Sequence, residues 1–184
     1  SGFMALAGRF RVLHLSTHAF ATTTGGQPPR LECFDQALYL PDIYALSLKS
    51  DLVTLSACQT GLGQAQAGEG VMSLARAFAQ AGAACVVSSL WSVNDRSTGK
   101  LLDVFYRKLE SGESIAHAIQ SAKLSYLDDP QVRGAMQSPY FWAGLSVVGD
   151  DRVLMESNGN WWIWVLGLVV VLAGLLWYKR RRQI

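Results

Sequence analysis

Residues 51–58 read Asp-Leu-Val-Thr-Leu-Ser-Ala-Cys, and residues 12–18 read Val-Leu-His-Leu-Ser-Thr-His. Each segment is a mostly apolar run that ends in a reactive side chain, Cys58 in the first and His18 in the second. Continuous apolar runs are typical of parallel strands that are covered on both faces of a sheet. If the two strands are parallel neighbours, His18 and Cys58 leave the same edge of that sheet. A thiol and an imidazole placed together there make a candidate nucleophilic site.

The remainder of the chain up to residue 150 alternates strands with helices. Residues 84–90 form a third apolar run, and the spacing of apolar side chains predicts helices over 69–81 and 97–110. Ser114 is a suitable N-cap for a further helix that ends before Pro130. This order predicts an open α/β sheet of mostly parallel strands flanked by helices.

Two segments have weaker patterns. Residues 19–36 contain prolines, glycines and threonines, which predicts a loop with a hairpin up to Tyr39. Residues 141–148 alternate larger apolar side chains with other residues, which predicts a strand with two unlike faces.

Composition excludes several classes of protein. The chain has 184 residues, half of them apolar, which suffices for one globular domain with a core. No basic stripe is present, so we expect no nucleic-acid partner. The three cysteines lack metal-ligand spacing, and we expect no metal and no cofactor. A Cys33–Cys85 disulfide stays open, although Cys85 lies in an apolar strand and is expected to be an inert core thiol.

The end of the chain has the pattern of a membrane span. Residues 161–178 contain no charged side chain and, as a helix, would extend about 27 Å, close to the thickness of a bilayer core. We therefore expect a linker over 151–160, a single transmembrane helix over 161–178 in contact with membrane lipid, and a basic tail over 179–184. The positive-inside rule places this tail in the cytoplasm and the globular domain on the opposite side. A tail-anchored protein with a cytoplasmic domain is the competing topology.

A third loop begins after Leu90, at the same edge of the predicted sheet as His18 and Cys58, and it contains Asp95. Ligands of open α/β sheets bind outside the carboxyl ends of the strands. Asp95 therefore either joins His18 and Cys58 at this edge or caps the helix that begins near Ser97. His14 lies within its strand and is expected to be a hydrogen-bonded core residue.

Five ordered blocks of the sequence resemble one known family. They are HLSTHAF (14–20), DLVTLSACQTGLG (51–63), GEGVMSLARAFAQAGA (68–83), VVSSLWSVND (86–95) and SPYFWAGLSVVGD (138–150). The chain resembles the CHAT domain, of the caspase–separase–gingipain group of cysteine peptidases. The resemblance implies a caspase-like fold over residues 1–150, of which the N-terminal part is expected to be missing.

The resemblance also implies site residues. His18 and Cys58 match the catalytic dyad, in which the cysteine attacks the scissile carbonyl and the histidine protonates the leaving amine. The oxyanion would be held by the backbone N–H groups of Cys58 and of Ala19, where the family commonly has glycine. Asp95 matches an acid that, in separase-like relatives, accepts a basic side chain, which implies cleavage after Arg or Lys. Specificity for aspartate would need a basic pocket, for which Arg96 is the nearby candidate.

Two classes of function follow. The first is a membrane-anchored cysteine endopeptidase that cleaves a partner protein, as in bacterial stress or defence signalling, under the control of upstream repeat or sensor domains. The resemblance suggests such domains because CHAT domains commonly follow tetratricopeptide repeats. The second is a catalytically silent interaction module tethered to the membrane.

Overall fold

A computed structural model describes residues 2–20, 29–56, 69–91 and 94–155, and the side chains of 69–73 are outside this description. The strands are β1 Val12–Leu15, β2 His18–Phe20, β3 Arg30–Glu32, β4 Ala37–Tyr39, β5 Leu52–Leu55, β6 Cys85–Ser89 and β7 Leu145–Gly149. The helices are α1 Gly2–Leu6, α2 Leu40–Tyr44, α3 Glu69–Gln80, α4 Asp95–Glu110, α5 Ile115–Asp128 and α6 Pro139–Trp142.

The main sheet has the strand order β1-β5-β6-β7. β1, β5 and β6 are parallel, and β7 is antiparallel to β6. The mostly parallel α/β sheet flanked by helices, predicted from the apolar runs, is therefore confirmed. The pairing of β1 with β5 aligns Leu15 with Leu55, so both strands end at the same level.

The central strands divide the interior into two apolar cores. Successive side chains of a strand point to opposite faces of its sheet. Val53 and Val86 accordingly belong to the core on the side of α3, whereas Leu52 and Val87 belong to the core under α4 and α5. β5 and β6 are buried along their whole length. Burial on both faces explains why their sequences are continuous apolar runs.

The three long helices have the boundaries that their sequences predict to within two residues. α3 is followed by Gly82, whose φ of 111° is in the left-handed region and where a Cβ would lie 2.3 Å from the Leu48 carbonyl oxygen. Ser114 caps α5, as predicted, and accepts a hydrogen bond from the His117 N–H. α4 begins at Asp95 because Asn94, and not Asp95, is its N-cap.

A second sheet, with the strand order β2-β3-β4, packs on the α3 side of the main sheet. Its strands are antiparallel, and β3 and β4 form the predicted hairpin up to Tyr39. The region predicted as a loop also includes the last two residues of β2, 19 and 20, and residues 21–28 lie outside the description. Apolar Leu31 and Leu38, both fully buried, anchor the small sheet to the core.

The predicted strand over 141–148 is wrong in its first half. Pro139 begins the short helix α6, which extends to Trp142, and β7 begins only at Leu145. Proline is favoured in the first turn of a helix because its ring presets φ. The Trp142 indole N–H donates to the Gln137 carbonyl oxygen at 3.0 Å, a contact that accompanies this turn of helix.

The predicted membrane localisation is contradicted. Among residues 2–20, 29–56, 69–91 and 94–155, no helix is long and apolar enough to cross a membrane. The span predicted over 161–178, the tail 179–184 and the second half of the linker, 156–160, lie outside these residues. The prediction of a single-pass topology is therefore corrected. The long helices that the structure describes pack their apolar sides against the sheet and do not form an apolar span.

Asp51 links three segments at the end of the sheet where β5 begins. Its carboxylate accepts hydrogen bonds from Arg11 Nε at 2.6 Å, before β1, and from Arg152 Nη1 at 2.9 Å, after β7. The hydrogen bond from Arg11, assisted by that from Arg152, lowers the pKa of Asp51 from its ordinary value of 3.8, although partial burial opposes the shift. Asp51 therefore joins the start of β5 to both edge strands of the described sheet.

We expect Asp51→Asn to lower the Tm by a few degrees at neutral pH, because two charge-assisted hydrogen bonds are weakened. The folded pKa of Asp51 is depressed, so its contribution to stability is complete above its unfolded pKa and is lost as the pH falls through the folded value. The difference in Tm between wild type and Asp51→Asn should therefore shrink between about pH 7 and about pH 3.

Thermal melts followed by circular dichroism measure this difference. Asp103→Asn is the control, because Asp103 forms an exposed pair with Arg107 on one helix and such pairs contribute little. Equal Tm values for wild type and Asp51→Asn at neutral pH would contradict the role of Asp51.

Candidate active site

The site begins where β1 and β5 end side by side. The Ser56 N–H donates to the Leu15 carbonyl oxygen at 3.1 Å, which extends the parallel pairing one residue past the strands. His18 is three residues beyond Leu15, and Cys58 is three residues beyond Leu55. Cys58 lies outside the described residues, so its distance from His18 stays a prediction. The pairing nevertheless brings the two chain segments out at one edge of the sheet.

His18 is held by the small sheet. It is the first residue of β2, it is exposed, and it lies opposite Glu32 of β3. The preceding Thr17 hydroxyl donates to the Glu32 carbonyl oxygen, which anchors the turn between β1 and β2. The imidazole therefore faces solvent, while its backbone is held by the pairing of β2 with β3 and by the hydrogen bond of Thr17.

Ala19, predicted as a backbone donor to the oxyanion, is 2 % exposed. It lies opposite Leu31 in the small sheet and packs in the core on the α3 side. Its methyl group therefore has a packing role that glycine would not supply. Whether its N–H serves as a donor stays a prediction, as does the role of the Cys58 N–H.

A cleft of about 380 Å³ opens on the α4 side of the same edge. Strand β1 and the residues that follow β1 and β5 contribute the side that belongs to the sheet, and α4 contributes the other. The lining residues are His14, Ser16, Ser56, Asp95, Thr98, Gly99, Leu102, Asp103 and Tyr106. Ser16 is two residues before His18 and Ser56 is two residues before Cys58. The cleft thus adjoins the segments that carry the predicted dyad, although His18 itself is not among its lining residues.

Asp95 lies in this cleft and does not cap α4. The Asn94 side-chain oxygen accepts hydrogen bonds from the N–H groups of Arg96 at 3.1 Å and Ser97 at 3.3 Å. Asp95 is the first residue of the helix, where the helix dipole favours a carboxylate. Of the two roles open to Asp95 on the sequence, the capping role therefore belongs to Asn94. Arg96, the candidate for a basic pocket, is not among the cleft residues.

Helix α4 leaves the middle of the cleft open at Gly99. Asp95, Gly99 and Asp103 follow at intervals of four residues and so lie along one face of the helix. A Cβ built on Gly99 would meet no atom within 4 Å, which shows that the space beside it is empty. Asp103 is paired with Arg107 at 2.8 Å.

The prediction that His14 is a core residue is wrong, because its side chain is exposed and lines the cleft. Leu13 and Leu15 pack toward the core on the α3 side, so His14 between them points to the opposite face, into the cleft. Its Nε2 shares a hydrogen bond of 2.8 Å with Ser56 Oγ, and its ring lies 5.6 Å from that of Tyr106. Partial burial lowers the pKa of His14 from its ordinary value of 6.5. The alternation of side chains between the two faces of β1 is the sequence signal that identifies the position of His14.

The two described cysteines are not activated thiols. Cys33 and Cys85 are both free, so the disulfide that the sequence left open is not formed. Burial, with smaller effects from Asp151 and Asp150, raises the pKa of Cys85 to about 11. Burial also raises the pKa of the partly exposed Cys33. Because the thiolate is the reactive form, neither side chain suits nucleophilic catalysis, and Cys85 is the inert core thiol that was expected.

The fold and the strand-edge cleft define an α/β domain with a polar site at the carboxyl ends of its parallel strands. The sequence model of the CHAT domain matches residues 3–150, and the chain belongs to this family. CHAT domains are a caspase-like family related to cysteine peptidases. The resemblance stated from the sequence is thereby confirmed.

Two curated proteins are similar to part of the chain. Over 117 residues it is 33 % identical to tetratricopeptide repeat protein 28 of Mus musculus and 34 % identical to tetratricopeptide repeat protein 28 of Homo sapiens. These matches cover 64 % of this chain but only 5 % and 4 % of the relatives. Both relatives are mammalian and give no support to the predicted bacterial setting.

Proposed function

We propose that the chain is a cysteine endopeptidase that uses Cys58 as nucleophile and His18 as general acid. The observation that carries this proposal is the parallel pairing of β1 with β5, in which Leu15 lies opposite Leu55 and the Ser56 N–H donates to Leu15. This pairing brings the segments of His18 and Cys58 to one edge of the sheet. Membership of a caspase-like family supports the same assignment.

In the proposed reaction, the Cys58 thiolate attacks the carbonyl carbon of the scissile peptide bond. The oxyanion that forms accepts hydrogen bonds from the N–H groups of Cys58 and Ala19. His18 gives its proton to the leaving amine as the C–N bond breaks, and an acyl-enzyme on sulfur remains. Water then hydrolyses this thioester, which releases the carboxylate product and the thiol.

The same proposal assigns specificity for Arg, and secondarily Lys, before the cleaved bond. Asp95 at the start of α4 supplies a carboxylate to the cleft, and the gap beside Gly99 provides room for a long side chain. A guanidinium group binds a carboxylate through two parallel hydrogen bonds, whereas an ammonium group makes a point contact, so arginine is favoured over lysine.

We further propose that residues 1–150 act under the control of tetratricopeptide repeats elsewhere in the complete protein. The support is that both relatives are named tetratricopeptide repeat proteins and are far longer than this chain. A catalytically silent interaction module is the second candidate, favoured by Ala19 at a position where related domains commonly have glycine.

Turnover of arginine-containing peptides tests the dyad. Cys58→Ala should lower kcat/KM by at least about a thousandfold, since it removes the nucleophile. His18→Ala should lower it by roughly 10²–10⁴-fold, the usual contribution of a general acid. Cys33→Ala and His117→Ala are matched controls, because burial raises the pKa of the Cys33 thiol and His117 lies on the exposed surface of α5, and both should keep wild-type turnover. Equal turnover by all five proteins would exclude this dyad, and no turnover by any would favour the interaction module.

The specificity assignment is tested with paired peptides that differ only in Arg or Ala before the cleaved bond. Asp95→Asn should lower kcat/KM for the Arg peptide by roughly tenfold to a hundredfold, mainly through KM, and leave the Ala peptide unchanged. Gly99→Leu should act in the same direction by filling the cleft. Asp103→Asn is the control, because Asp103 lies eight residues further along α4 and forms an exposed salt bridge with Arg107. A preference for Arg that survives both substitutions would place the pocket elsewhere.

A further inference from the structure

We propose that His14 determines when the cleft accepts a basic side chain: the neutral imidazole admits it, and the protonated imidazole repels it. This inference rests on the proposed function, because it assumes that the cleft beside Asp95 receives the arginine side chain. It assigns a role to a residue outside the His18–Cys58 dyad.

The position of His14 follows from the alternation of β1. Leu13 and Leu15 are committed to the core on the α3 side, so the His14 side chain faces the cleft. Ser56 Oγ at 2.8 Å and the Tyr106 ring at 5.6 Å hold the imidazole from the neighbouring strand and from α4. Tyr106 is itself fixed, since its hydroxyl donates to Thr54 Oγ1 at 3.0 Å. His14 is thereby kept at the wall of the cleft that belongs to the sheet.

Among the described side chains that line the cleft, His14 is the one whose protonation adds a positive charge. Among the described residues that line the cleft, α4 contributes the titratable side chains Asp95, Asp103 and Tyr106, and β1 contributes His14. The residues that follow β1 and β5 contribute only the hydroxyls of Ser16 and Ser56. Arg107 lies beyond Asp103 and is paired with it. His14 is therefore the one lining residue in this set that changes from neutral to positive as the pH falls.

Partial burial lowers the pKa of His14 below 6.5, so the imidazole is neutral at neutral pH and becomes charged in the acidic range. A cation that shares a cleft of about 380 Å³ with a guanidinium group repels it at short range. We expect protonation of His14 to weaken binding of an arginine side chain by about tenfold.

The test measures binding and not turnover. The full chain carrying Cys58→Ala is titrated calorimetrically with acetyl-arginine amide at several values between about pH 7.5 and about pH 5, above the range in which carboxyl groups ordinarily titrate. Affinity should fall as the pH is lowered and His14 becomes protonated, by about tenfold once protonation is complete. In the further variant His14→Gln, whose amide can still hydrogen-bond Ser56 but cannot titrate, the fall should be less than about twofold.

Three controls isolate the effect. Acetyl-citrulline amide has the shape of the arginine probe without its charge, so its affinity should not depend on the ionisation of His14. His117→Gln, on the exposed surface of α5, should retain the tenfold fall. His18→Gln should retain it as well, because His18 does not line the cleft.

A measurement on the unsubstituted His14 covers the case in which His14→Gln does not fold. Proton binding and probe binding are reciprocally linked, so saturating acetyl-arginine amide should move the NMR titration midpoint of the His14 imidazole to lower pH. An unmoved midpoint would overturn the inference.

The binding data also separate this inference from the endopeptidase proposal. A pH dependence that persists in His14→Gln but is lost in His18→Gln would overturn the role of His14. Absence of any binding of acetyl-arginine amide at neutral pH would overturn it too. A His14-dependent fall in affinity in a chain without turnover would support His14 and count against the endopeptidase alone.

Discussion

The parallel pairing of β1 with β5 is the constraint on which the site depends. Leu15 and Leu55 lie opposite each other, and the Ser56 N–H reaches back to the Leu15 carbonyl oxygen. A shift of the pairing by one residue would turn His14 toward the core and Leu15 toward the cleft. Burial of the leucines therefore fixes the register, and the register fixes which polar side chains reach the edge.

Helix α4 serves both the core and the cleft. Its buried side, which includes Leu101 and Phe105, closes the apolar core over β6. Its neighbouring side carries Asp95 and leaves a gap at Gly99. The Asn94 cap sets where the helix begins, and so decides that Asp95 stands in the first turn at the mouth of the cleft. Packing and recognition are thus set by the same helix.

Much of the fold could be predicted because its main signals are local. The apolar runs of β5 and β6 and the periodicity of α3, α4 and α5 require no knowledge of distant contacts. The helix α6 was missed because an alternating pattern over 141–148 concealed the start that Pro139 makes possible. The membrane localisation rested on the apolar run 161–178 and the basic tail 179–184, and it is not supported by any helix of the described ranges.

The candidate site was predictable only in part. Strand ends and the family resemblance identified His18, Cys58 and Asp95, but the hydrogen bond between His14 and Ser56 joins residues 42 positions apart. Such a contact exists only once β1 and β5 are paired. A residue in the middle of a strand reads as core until its neighbours Leu13 and Leu15 are known to occupy the core face.

The most direct measurement is mass-spectrometric mapping of a thiol-directed affinity probe on the full chain. The probe is an acetyl-arginyl acyloxymethyl ketone, and its glutamyl analogue is the control. If Cys58 is the nucleophile at an edge that recognises arginine, the arginyl probe forms its adduct on Cys58 alone, and acetyl-arginine amide competes with it. An adduct on Cys33 instead, or equal modification of Cys58 by the glutamyl analogue, would contradict the account.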